Sequence, residues 1–220
     1  MITDSTVSGA YLGMLADTVR EGYSFMQVAN VTTPLDGDRI NVDPSFGYKL
    51  LNFTFKDERT GMDWLEDRVR AMFNEGGEYQ DSIRRDGQYD YVLDALKGMI
   101  EGTMPRWNAN RLIISLFDSR KDLHKSRMPT PPCLIQLSFY PVKQTLSLIA
   151  TFRAQYTDAK GYGNLYSLAM LLQKVCEETG FTPKHLFSVA QKAILKYPIK
   201  EAKRFRYALL KSSTPKERIE

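Results

Sequence analysis

Apolar positions recur along this chain in helical and strand-like patterns, and the succession of the two predicts its elements. From Ser8 to Glu21, Tyr11, Leu15 and Val19 share one face with Leu12 beside them; Ser8 serves as N-cap and Gly22 as stop. Residues 29–47, punctuated by Pro34, Gly37, Pro44 and Gly47, read as irregular, and Tyr48–Phe55 reads as a strand. Helices are expected over Met62–Glu75, ending at Gly76-Gly77, and over Tyr89–Glu101, with Val92, Leu93, Leu96 and Ile100 in register and Gly102 after it. Arg111–Phe117 is a compact run rich in Ile and Leu, the pattern of a buried strand. Cys133–Pro141 and Gln144–Ala154 are two further strands, joined at Val142-Lys143 into a hairpin.

A long helix is expected from Asn164 to Gly180, lined by Leu165, Leu168, Leu172 and Val175. Thr182-Pro183 supplies an N-cap followed by proline at the first helical position, so a further helix carrying Leu186, Val189 and Ile194 is predicted. Pro198 breaks it, and a basic helix from about Ile199 to Lys211 closes the order. The sum is an α+β fold, a mixed sheet with surrounding helices. No internal repeat or low-complexity linker interrupts it, so the 220 residues are expected to form one domain.

Composition changes the picture little. Apolar residues make up 43% of the chain, enough for a core, and charged residues 25%. The net charge of +4 is gathered in 120–127 and in the tail from Lys200 to Arg218; it suits a phosphate site as well as a polymer. Two cysteines, Cys133 and Cys176, do not make a disulfide framework. The start, Met1-Ile2-Thr3-Asp4-Ser5, lacks a basic region before an apolar run, and no stretch reaches the roughly 18 apolar residues of a membrane span. A cytoplasmic protein is expected.

The sharpest chemical signal is Pro131-Pro132-Cys133 entering a strand. Two prolines fix the backbone before a thiol, and Arg153 and Arg111, on neighbouring strands, are placed to favour the thiolate that a nucleophile requires. The competing reading is a small buried core cysteine.

Read in order, Arg111-Leu112-Ile113-Ile114-Ser115, Pro131-Pro132-Cys133, Ser138-Phe139-Tyr140, Arg153 and Asn164 resemble the thymidylate synthase family. There an arginine-led "RIIVS" strand precedes a "PPCH" nucleophile, an "FQFY" strand, a "QRS" turn and the asparagine of "GxPFNxxxY". Tyr11-Leu12-Gly13-Met14-Leu15 is similar to the family's opening helix and Phe46-Gly47-Tyr48 to its "FGxQ" strand, so the likeness spans roughly residues 8–196. It implies that Cys133 adds to C6 of a pyrimidine nucleoside monophosphate such as dUMP and that C5 then takes a one-carbon unit from methylenetetrahydrofolate. Arg153 and Arg111 would bind phosphate, Arg111 across a homodimer interface packed sheet against sheet. Asn164 would read the base edge, and Tyr79 matches a nucleotide-site tyrosine in the "YGxQWR" segment.

The chain also departs from that pattern. Leu134 stands for the family's histidine, Phe152 and Ala154 flank the arginine, and Tyr156 stands for an aspartate; Tyr162-Gly163 replaces the "PF" before the asparagine. Ala190-Gln191-Lys192-Ala193-Ile194-Leu195 replaces a "DxHxY" ribose clamp. Val69–Phe73 holds no carboxylate where the catalytic glutamate belongs, and Glu66 lies one turn earlier. The folate-flanking tryptophans are absent.

Three functions follow: a methyl- or hydroxymethyltransferase at C5, a nucleotide-binding or interaction module of the same fold without folate chemistry, and a nucleic-acid binder using the face of Arg204, Arg206, Tyr207 and Lys211, the least favoured. His124 and His185 are expected at the surface and outside any metal site, Cys176 in the core, and Gly161-Tyr162-Gly163 at a turn by the mouth of the site.

Overall fold

The computed structural model of the protein describes residues 1–32, 35–36, 39–40, 79–123 and 131–213. The strand expected at Tyr48–Phe55, the helix at Met62–Glu75, His124 and the segments around Phe46 and Glu66 lie outside them.

The described elements run β1 (Ile2–Asp4), α1 (Val7–Glu21), β2 (Tyr23–Val31), β3 (Leu35–Asp36), β4 (Arg39–Ile40), α2 (Gln80–Arg84), α3 (Gln88–Glu101), β5 (Ile113–Ser115), α4 (Ser119–Asp122), β6 (Leu134–Val142), β7 (Thr145–Phe152), β8 (Gln155–Tyr156), α5 (Tyr162–Thr179), β9 (Thr182–Ile194) and α6 (Ile199–Ser213). Arg106–Arg111 forms a 3₁₀ turn and Thr157–Gly161 a π turn. The fold is α+β. A mixed, open sheet runs in the order β1-β2-β9-β7-β6-β5, and β8 pairs with β9; β3 and β4 pair separately.

Local chemistry accounts for most boundaries. The cap of helix α1 is two residues earlier than expected: Thr6 accepts the amide of Gly9 through its hydroxyl at 2.9 Å. Gly22 ends it as expected, left-handed at φ 85° with its amide on the Thr18 carbonyl. Helix α5 shows Leu165, Leu168, Leu172 and Val175 fully buried, as their spacing predicts, whereas Ile100 of α3, placed on the apolar face, is 41% exposed. The hairpin forms with its turn at Lys143-Gln144, one residue later than read, closed by Val142 against Thr145.

One element is overturned. Residues 182–194 are not a helix but the long strand β9, held between β2 and β7. Leu186, Ser188 and Ala190 are buried in alternation with half-buried Phe187 and Val189, a period of two that the Thr182-Pro183 start signal obscures. His185 is correspondingly half-buried in β9 rather than at the surface, its Nδ1 unpaired among the described residues and its ring 5.6 Å from that of Phe187.

The connection β7–α5–β9 joins parallel strands, which requires a helical crossover, and α5 packs on both. Along β7 the face under the helices is Leu146, Leu148, Ala150 and Phe152, all fully buried; Ser147, Ile149 and Thr151 on the opposite face are half-buried. At the sheet edge the Gln88 side chain meets both backbone groups of Ser115 in β5, its Oε1 accepting the amide at 2.9 Å and its Nε2 donating to the carbonyl at 3.0 Å.

Strand β2 turns over part-way along. Met26 adopts φ 50°, a left-handed conformation costing about 1–2 kcal/mol for a residue with a Cβ. Ser24 and Gln27, three apart, consequently both hydrogen-bond to Asp17 of α1, and Tyr23 and Phe25 are turned outward.

Candidate functional site

The end of the β6–β7 hairpin brings two of the expected residues together. β7 pairs with β9 as far as Phe152 opposite Ala190, and β8 resumes the same register with Gln155 opposite Ala193. Between them the strand line breaks at Arg153-Ala154. There the Arg153 amide donates to the Cys133 carbonyl at 2.9 Å, extending the β6 ladder by one residue. Cys133 lies in a bend just ahead of β6 rather than inside it, half-buried against the edge of the core.

The Arg153 side chain folds back on the two prolines. Nε donates to the Pro132 carbonyl at 3.0 Å and to that of Pro131 at 3.2 Å, while Nη2 donates to Pro131 at 2.7 Å. Proline lacks an amide, but its carbonyl remains a full acceptor, and the guanidinium uses both. Among the described residues no carboxylate lies within ion-pair distance of this half-buried cation. Nη1 takes no part in these bonds, so the group keeps donors for an anion while its other nitrogens fix it on the two prolines that precede Cys133.

The other three residues are placed differently. Arg111 is the exposed last residue of the 3₁₀ turn, not part of a strand. Ile113 pairs with Ser138 and Leu112 accepts from Phe139, so Arg111 stands level with Tyr140, about 20 Å along β6 from Cys133. Tyr79 is buried in the core where α2 begins, its carbonyl accepting the Ile83 amide. Asn164 is 3% exposed in the first turn of α5, the helix that follows β8 and the π turn.

The departures from the family pattern have structural roles of their own. Leu134 and Phe152 pair across β6 and β7 and are both fully buried under the helices, so neither position offers a proton-transfer group. Gly161 is buried against Tyr11 rather than set in an open turn: a Cβ there would meet the ring at 3.1 Å. Asp158, which the sequence reading passed over, is buried and accepts the amides of Lys196 and Tyr197, tying the π turn to the lead-in of α6.

Gln155 was also passed over. It is 2% exposed, and among the described residues neither its Oε1 nor its Nε2 has a hydrogen-bond partner. An unpaired buried amide two residues from Arg153 costs free energy, and polar signals of this kind are hidden in a sequence because burial must be known first.

The two thiols differ. Cys176, on the buried side of α5, is pushed up to about 12 by burial and then by Glu177. Tyr11, fully buried with its ring 5.4 Å from that of Tyr162, is also raised well above its usual value, by burial and then by Asp158 and Tyr162. Among the described residues no group of His, Cys, Asp and Glu is arranged to hold a metal ion, and no helix is long and apolar enough to cross a membrane. In comparison with known proteins, the chain matches no family model and no curated protein.

Proposed function

We propose that the protein is a pyrimidine-nucleotide C5 transferase of thymidylate synthase type, in which Cys133 is the nucleophile and Arg153 its anion-binding neighbour. The observation that carries this reading is the pair itself: a half-buried thiol at the end of a strand, joined through its backbone to an arginine without a carboxylate partner among the described residues.

The chemistry begins with Sγ as thiolate adding to C6 of the uracil ring. The Sγ–C6 bond forms, and the C5–C6 π pair moves toward C5 and O4, leaving C5 nucleophilic. Arg153 holds the nucleotide phosphate so that C6 stays near Sγ, and positioning of this kind supplies much of such a rate. Asn164 is proposed to read the base edge and Tyr79 to line the nucleotide site. Loss of the C5 proton and expulsion of Sγ complete a turnover once C5 has been substituted.

Methylenetetrahydrofolate is the donor that the family resemblance implies. The residues do not fit it: the family's folate-flanking tryptophans are absent, and Tyr156, 41% exposed, stands where the family pattern has an aspartate. Activation of C5 by the thiolate is the part of the reaction that these residues serve.

Arg111 joins the site only from a second copy, since it lies about 20 Å from its own Cys133. The half-buried Ile149, Phe187 and Val189, on the sheet face opposite α5, suit a homodimer packed sheet against sheet.

A second reading is a nucleotide-binding module that keeps the fold without turnover. The buried Leu134 and the spending of Nε and Nη2 of Arg153 on proline carbonyls favour it.

Release of tritium from C5-labelled dUMP separates the two. Release that disappears in Cys133→Ser, together with a covalent adduct of the wild type with 5-fluoro-dUMP, is the result expected of the transferase. Calorimetric binding of dUMP without adduct or release would leave the module. No binding of any pyrimidine monophosphate would end both.

A further inference from the structure

We propose that the outer face of α6 binds single-stranded nucleic acid. Lys200, Lys203, Arg204, Tyr207 and Lys211 recur there at intervals of three and four residues, and all five are exposed. From Lys200 to Lys211 the stripe runs about 16 Å, the length of about five stacked nucleotides. It shares no residue with the proposed transferase site, so the inference does not rest on that reading.

The sequence ranks nucleic-acid binding last because a cationic helical face is usually no more than a solvated one. The packing of α6 changes that weight. Its opposite side is fixed: Ala202, Phe205 and Leu209 are buried, and the helix packs on α1. Its lead-in is tied down as well. Asp158 accepts the amides of Lys196 and Tyr197 at 2.8 and 2.9 Å, and the Pro198 carbonyl accepts that of Ala202 at 3.1 Å. The stripe is therefore held outward on a packed helix. Arg206, grouped with it by sequence, is half-buried and stands outside it.

Its charge pattern works against the helix that carries it. α1 and α5 balance their outer cations with acids in the ion pairs Arg20–Asp17 and Lys174–Glu178, and α3 exposes Asp90, Asp94 and Glu101 beside Lys97. The stripe of α6 contains no acid, and among the described residues none of its cations is ion-paired. Lys200 stands one turn before Lys203 and Arg204, where like charges repel. All three lie in the first two turns, where the helix dipole favours anions, and Glu201 is the one acid there. A cationic face that weakens its own helix is explained by a polyanion that neutralises it.

Tyr207 narrows the polyanion to an unpaired strand. It is 60% exposed within the stripe, with the Lys211 ammonium 4.8 Å from its ring centroid. A flat ring between cations gives a base a surface to stack on while the backbone phosphates meet the ammonium and guanidinium groups; bases in a duplex keep their faces on each other. A bilayer suits the helix less. Its apolar side chains are spent on the core, which leaves Ile199 and Leu210 too few to enter a membrane surface.

Fluorescence anisotropy of the full chain with a labelled oligouridine and, separately, a labelled oligothymidylate tests this at physiological salt. Saturable binding with a Kd of about 10 μM or tighter is expected for at least one, and the tighter of the two shows which sugar the face prefers. Lys200→Gln, Lys203→Gln and Arg204→Gln together should weaken it about tenfold or more and lower the slope of log K against log salt by about 2. Tyr207→Ala, at an exposed position, should weaken it about fivefold without changing that slope. Cys133→Ser and Arg153→Ala should bind as the wild type does, and excess dUMP should not displace the strand. The proposal fails if neither oligonucleotide binds or if the α6 variants bind as tightly as the wild type. It fails equally if dUMP or Arg153→Ala removes the binding, which would seat the strand at the cysteine. A duplex bound as tightly as the single strands, or binding to phosphatidylserine vesicles alone, overturns it as well.

Discussion

The surroundings of the two cysteines show how differently one residue type can be used. Cys176 sits on the buried side of α5 among core leucines and valines, 3% exposed, where nothing favours its charged form. Cys133 sits where a strand begins, with two prolines before it and an arginine bonded to their carbonyls. In the first region the free energy lies in packing and tolerates no charge. In the second it lies in positioned polar groups. The core is therefore expected to answer to changes in volume and the sheet end to changes in charge.

The largest effect should come from packing. Phe152 is fully buried one residue before Arg153, and Phe152→Ala is expected to cost about 3–5 kcal/mol in urea unfolding, loosening the sheet end together with the core. Arg153→Ala inverts the contrast: stability should fall far less, whereas adduct formation with 5-fluoro-dUMP should slow about 100-fold, about 2.7 kcal/mol at the transition state. An equal loss of folding in both variants would erase the distinction between the regions.

Gln155→Leu tests the orphaned amide between them. Removing a buried polar group without partners should stabilise the fold by about 1–2 kcal/mol. If it also lowers affinity for dUMP, the amide belongs to the site; if affinity is unchanged, it does not. Met26→Ile should destabilise by about 1 kcal/mol, since a β-branched side chain suits φ 50° worse than methionine, and Met26→Gly should be close to neutral. Thermal melts of both variants decide this.

The smallest effect concerns pH. Burial raises Cys176 from 9.0 to about 12, and burial followed by Glu178 raises Tyr89 from 10.0 to about 12. Both groups hold their protons more tightly in the folded chain, so their contribution is complete below pH 9.0 and is lost as pH climbs toward 12. Melting temperature should therefore decline over that window. Native alkylation with iodoacetamide, followed by mass spectrometry, should mark Cys133 and reach Cys176 only on unfolding.

What could be read from the sequence follows from which signals are local. Helices α1, α3 and α5 and the β6–β7 hairpin were legible because glycine stops and apolar spacing lie within a few residues of each other. Adjacency of Cys133 and Arg153 was legible for the same reason, as the hairpin fixes it. β9 was not: Thr182-Pro183 mimics a helix start, and its alternation uses Ser188 and Ala190 on the buried side, residues too small and polar to announce a strand. β2 was missed because Met26 breaks its period and Gln27 and Asn30 are buried within it. Arg111 was placed beside the thiol on strand order alone, whereas its distance depends on the pairing of Ile113 with Ser138. Gln155 gave no signal, since its importance lies in partners it lacks.

Gln88 has a bearing on how copies of this chain meet. Its amide already satisfies Ser115 in β5, the outermost of the described strands on that side, acting as a short false strand laid along the rim. A neighbouring chain cannot dock there by adding a strand without first displacing it, which guards that rim against runaway stacking into fibres.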